Sequence, residues 1–192
     1  AWWFARVAWD SLAWPDEALD TFCNAAFPAT AQALATYYEA LDAAFALLLD
    51  LHDFEDAPRH DVLDFSDVPR PTLRAKAIEA GEAVHVLRSA AAALEGIEGK
   101  TADETARLNN EREQARFVLA VATHLAERLA AWDAALSGER DRANEHLERA
   151  RAAMKAVEKW DAVHNVPAFA VITRRMRRAM RFHLDRIQGL AR

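Results

Sequence analysis

An all-α fold, a helical bundle containing a long antiparallel helix pair, is what this 192-residue sequence predicts, and three observations predict it. Strong helix formers such as Ala, Leu, Glu and Arg dominate, whereas Gly and Pro number only 5 and 6. Apolar residues recur every three or four positions, the spacing of one buried helical face. The gaps between these stretches carry the chemistry of helix starts and stops. At this length a single domain with a real core is the default, and it is assigned to residues 10–192.

The elements follow in order. Trp2, Trp3, Phe4, Val7, Ala8 and Trp9 read as the tail of a helix that is apolar on nearly every side and must be buried on more than one face. After a break at Trp14-Pro15, PDEALDTFCNAAF has Pro at a first-turn position, followed by Asp16 and Glu17 at the positive end of the helix dipole. Ala18, Leu19, Phe22, Cys23 and Phe27 form its apolar side, and Phe27-Pro28 ends it. Ala29 to Leu51 is the central helix, with no Pro or Gly and with Leu34, Tyr37 or Tyr38, Leu41, Leu48 and Leu51 on its inward face.

From His52 to Pro71 the periodicity is lost, and the acidic stretch is expected to be an irregular connection that packs down through Phe54, Val62, Leu63, Phe65 and Val68. Thr72 is expected to cap a helix reaching about Leu94, with Leu73, Ala77, Ile78, Val84, Leu87, Ala91 and Leu94 inward and Gly81 as its weak point. Gly96 and Gly99 close that helix, and Thr101 with Glu104 forms a capping box for the next. That helix, Ala102 to about Leu136, is the longest. Its first half is polar nearly all round and is expected to project or to lie on another surface; Phe117, Val118, Val121, Leu125, Leu129, Trp132 and Leu136 then make a stripe.

Ser137-Gly138 turns the chain into a helix with Ala143, Leu147, Ala150, Met154, Val157 and Trp160 at heptad-like spacing, which makes the two an antiparallel pair. His164-Asn165-Val166-Pro167 ends the pair. The last segment sets Ile172, Met176, Ala179, Met180, His183 and Ile187 on one side and Arg174, Arg175, Arg178 and Arg181 on the other.

Composition excludes several function classes. A net charge of −6 argues against nucleic-acid binding, which needs a clustered positive surface. No apolar run approaches the ~20 residues that span a bilayer, so no membrane segment is expected. The lone Cys23 cannot form an internal disulfide, and the opening AWWFARVAWD lacks the layout of a secretory signal, so the compartment stays open. The chain opens on Ala inside a running helical pattern, and it reads as cut from something longer.

Candidate chemistry is sparse, and no cofactor is implied. His52-Asp53 and His60-Asp61, among Glu55, Asp56, Asp64 and Asp67, form the densest group of possible metal ligands, since imidazole with carboxylate suits zinc, manganese or iron. The bland alternative is a solvated acidic loop. Trp2, Trp3, Trp9 and Trp14 are packing residues or sugar-stacking platforms. The arginines of the last helix form a solvated face or an anion-binding one. His85, His124, His146 and His183 are isolated on helices and read as structural, and Cys23 as an inert buried thiol. The carboxylate pairs lack the apolar surroundings that would raise one pKa for acid catalysis.

The opening FARVAWD-SLAWPDEALDTFCNAAFPATAQALATYYEALDAA resembles a pattern in bacterial TIM-barrel glycoside hydrolases of the α-glucuronidase-like, hyaluronidase-like and hexosaminidase-like kinds. In that pattern the last barrel helix ends in Trp followed by Asn or Asp, a short acidic helix carries an aromatic, and the next helix contains a Tyr-Tyr pair. Trp9-Asp10, Pro15-Asp16, Phe22, Phe27 with Ala29, and Tyr37-Tyr38 are the matching positions, with Phe27-Pro28 standing where Tyr-Gly is usual.

The resemblance implies that residues 1–9 are a remnant of the final barrel helix, that Trp2, Trp3, Trp9 and Trp14 pack on the barrel, and that the catalytic residues lie upstream of Ala1. The chain would then be a non-catalytic C-terminal domain that buttresses the barrel of the same polypeptide. His52, Asp53, His60 and Asp61 would sit on a loop lent to the cleft rim or to a homodimer interface. Two competing expectations are a free-standing helical interaction module and a metal-dependent hydrolase using His52 and His60.

Overall fold

The structure is a computed structural model that describes residues 15–55, 69–164 and 170–192, with side chains at all of these except 15–16, 45–55, 170–177 and 179. The described chain is helical, with no strand: α1 (Pro15–Ala26), α2 (Ala31–Glu55), α3 (Arg70–Glu95), α4 (Ala102–Leu136), α5 (Arg140–His164) and α6 (Ala170–Leu190). The all-α bundle expected from the periodicity is the fold observed.

The helix boundaries follow from local chemistry. Pro15 opens α1, where its missing N–H has no intrahelical partner to lose. A turn over Pro28–Thr30, in which Thr30 N–H donates to the Phe27 carbonyl at 3.0 Å, leads into α2. α2 runs on to Glu55, past the expected end at Leu51, so His52 and Asp53 belong to its last turn.

α3 likewise starts earlier than expected. The N–H groups of Thr72 and Leu73 donate to the Pro69 carbonyl at 2.9 and 3.1 Å, so the cap position is Pro69, and Thr72 lies inside the first turn. Pro71 suits that turn because its φ is preset and it has no N–H to satisfy. Between α4 and α5, Glu139 N–H reaches the Ala134 carbonyl at 2.9 Å and Gly138 N–H the Ala135 carbonyl at 3.0 Å. This double closure needs a left-handed residue, and Gly138 supplies it with a φ of 75°.

The described residues divide between two compact units, one falling within Ala1–Ala43 and Val86–Arg116 and the other within Ala44–His85 and Phe117–Arg192. The described core of the first is Cys23, Phe27, Leu34, Ala35, Tyr37, Ala90, Leu94, Leu108 and Ala115, with Leu19, Phe22, Tyr38 and Leu41 packed against it. Phe22 meets Phe27 and Tyr38 edge-on, with ring centroids 6.1 and 5.7 Å apart. Edge-to-face contacts of this kind add about 0.5–1.5 kcal/mol each to the area they bury.

In the second unit the later part of α4 lies antiparallel to α5. α5 buries Ala143, Leu147, Ala150, Ala153 and Val157, at the spacing its sequence predicts. α4 buries Leu129 and Trp132 together with small residues, Ala120, Ala122, Ala126 and Ala131, that allow close helix approach. Met180, His183, Leu184 and Ile187 complete this core from α6. Arg178 and Arg181 are exposed, as expected, and Arg181 pairs with Glu158 of α5. Ion pairs this open to water contribute little, about 0–1 kcal/mol.

One inward assignment on α3 fails. Ile78 is 58% exposed, while Ala80, Ala83 and Ala90 are buried alongside Leu73, Val84, Leu87 and Leu94. Leu73, Ala80, Leu87 and Leu94 fall every seventh residue on one face, and Ile78, five residues from Leu73, lies about 140° round the helix from it.

Candidate functional site

In the first unit the polar first half of α4 does its work through helix ends. One half of the capping box forms: Glu104 N–H donates to Thr101 Oγ1 at 3.1 Å. The Glu104 carboxylate, however, reaches further than its own helix. Oε2 accepts from the Lys100 N–H at 2.9 Å, and Oε1 accepts from the Ala29 N–H and the Thr30 hydroxyl, both at 3.1 Å. The side chain is 3% exposed. The Lys100 N–H is the main cause holding this carboxyl below its usual range; the Ala29 and Thr30 bonds add to it, and burial opposes it. Its lone pairs are therefore committed to tying the start of α2 to the start of α4.

Arg112 serves the other end. Its guanidinium donates to the Leu94, Glu95 and Ile97 carbonyls, around the point where α3 stops. Arg107 donates to the Ala26 carbonyl at the end of α1 at 2.7 Å, and Arg116 pairs with Glu95. Gly99 permits the tight entry to α4, because a Cβ there would stand 2.6 Å from the Thr105 nitrogen. Of the two expectations for this half, that it projects or that it lies on another surface, the second holds: Leu108, Ala115 and Glu104 are buried in it, and its arginines close neighbouring helices.

Above this lies a cluster of titratable groups. Burial raises the Glu111 carboxyl, against the lowering effect of its hydrogen bond with Tyr38. Tyr38 is driven upward by burial and by Glu111, and Tyr37 is pushed up to about 12, mainly by burial. The Cys23 thiol, 1% exposed, is pushed up to about 11 by burial and then by Asp20, which leaves it the inert thiol its position on an apolar face predicts. The thiol and both phenols are held in their protonated forms, and the Glu111–Tyr38 pair orients packing rather than activating a nucleophile.

The second unit brings together histidines that look isolated in the sequence. His124 is 1% exposed and its Nδ1 bonds the Ala150 carbonyl at 3.0 Å, linking α4 to α5. His183 of α6 lies 6.3 Å, ring to ring, from Trp132. Burial drives His183 down to about 3, helped by the charges of Arg128, His124 and Arg186. Arg128 is itself lowered to about 10 by burial and stays charged at neutral pH. On the outer side His146 Nδ1 and Arg149 Nε converge on Glu127 Oε2 at 2.7 and 2.8 Å. Burial pushes the Glu127 carboxyl up, but the bonds from His146 and Arg149 outweigh it and leave the group low.

The residues singled out by sequence fall mostly elsewhere. Trp2, Trp3, Trp9, Trp14, His60 and Asp61 lie outside the described residues, and for His52 and Asp53 only the helical backbone is described. Among the described residues no three His, Cys, Asp or Glu side chains gather in a way that would hold a metal ion. No described helix is long and apolar enough to cross a membrane. Compared with protein-family models, with characterised proteins and with solved structures, the chain matches none.

Glu104, Glu111 and Arg112 escape a reading of the sequence because their partners are remote. Only the Thr101–Glu104 capping spacing signals any of them, and it points to the wrong backbone N–H. Of the positions compared with the glycoside-hydrolase pattern, those whose side chains are described lie together. Phe22, Phe27 and Tyr37-Tyr38 share one core, and Ala29 is the residue whose N–H Glu104 holds.

Proposed function

We propose that this chain is the non-catalytic C-terminal helical domain of a carbohydrate-active enzyme, a bacterial glycoside hydrolase in which it buttresses an upstream catalytic TIM barrel. One observation carries the reading. The residues of the glycoside-hydrolase-like motif whose side chains are described, Phe22, Phe27, Ala29, Tyr37 and Tyr38, come together as packing and tethering groups in the first unit. A motif built from core aromatics and a backbone tether is what a structural domain needs. Glu104, Glu127 and Arg112 support the same role, since they spend their hydrogen bonds on helix termini and neighbouring side chains.

In this reading Trp2, Trp3, Trp9 and Trp14 face the barrel. The acidic segment with His52, Asp53, His60 and Asp61 lies at the cleft rim or a subunit interface and contributes contacts rather than chemistry. The test compares the isolated chain with the complete gene product on a panel of aryl glycosides and glucuronides. Turnover by the complete product alone is expected. Turnover by the isolated chain, or stoichiometric metal in it with hydrolysis lost in His60→Ala, would replace this reading with a hydrolase.

A further inference from the structure

We draw no further inference here: the strongest candidate, the depression of about 490 Å³ between α1 and the first turn of α2, is a helix N-terminus with the lone Cys23 at its wall beside the Asp20 carboxylate, and no second feature of the described residues points to a ligand.

Discussion

Glu104 Oε1 accepts the backbone N–H of Ala29 at 3.1 Å across 75 residues of sequence. The same carboxylate accepts the Thr30 hydroxyl and the Lys100 N–H, so one side chain serves the first turns of both α2 and α4. Replacing it removes an acceptor from donors that water reaches poorly, and such donors are costly to leave unpaired. Glu104→Ala is expected to lower Tm by about 3–8 °C, with Glu104→Gln falling between it and the parent. Thermal unfolding followed by circular dichroism reads both, and a double-mutant cycle with Thr30→Val should show non-additivity. Two unchanged melting curves would remove the tether from the account.

The glycines separate into opposite cases. Gly81 sits mid-helix in α3 with open space around a would-be Cβ, so Gly81→Ala should stabilise by about 0.5–1 kcal/mol through helix propensity and the unfolded chain's entropy. At Gly99 the same change drives a Cβ into the Thr105 backbone at 2.6 Å and should destabilise. Urea midpoints of the two variants, moving in opposite directions at constant m, are the expected result.

The chain has only two tyrosines, so its tyrosinate absorbance reports the first unit alone. Burial raises both phenols, and Tyr38 is held further by Glu111. A group raised in the fold binds its proton more tightly than in the unfolded chain, so the stability it contributes is full well below pH 10 and fades as pH rises from there through its folded pKa. Little tyrosinate should therefore appear near pH 10, where model phenols are half ionised. It should appear close to pH 12 or together with global unfolding. A simple two-site titration centred at pH 10 would contradict the packing described for Tyr37 and Tyr38.

His183 sets the acid side. Its folded pKa, about 3, lies below the ordinary histidine value of 6.5, so the unfolded chain binds the extra proton between those values and stability falls as pH drops through that window. His124 is lowered as well, with burial as the cause. Each neutral buried histidine adds a slope of up to about 1.4 kcal/mol per pH unit. Between pH 6.5 and 4.5 the carboxyls that are held low, Glu104 and Glu127, contribute little, because their losses begin below 4.5. Denaturation midpoints over that interval should thus decline with acidification, and His183→Gln should flatten the decline. An equal slope in parent and variant would move the acid sensitivity away from His183.

Periodicity made most of the architecture legible, and its failures have physical causes. The α4–α5 pair was readable because Ala143, Leu147, Ala150 and Val157 keep one face and Ser137-Gly138 carries its own turn chemistry. The exposure of Ile78 escapes the periodicity because alanines such as Ala80 and Ala83 look neutral in sequence, yet they form the close-packed face. The polar half of α4 hides its purpose for a different reason: the partners of Arg112 are backbone carbonyls, which have no sequence identity. His124 and His183 appear isolated until α4 and α6 bring them to the same core.

The proposed role as a structural domain downstream of a catalytic barrel is tested most directly by the coding sequence upstream of Ala1. That role predicts an open frame encoding a run of βα repeats with paired acidic residues at strand ends, running without interruption into Ala1. An in-frame stop followed by an initiator methionine immediately before Ala1 would contradict it and leave a free-standing helical protein.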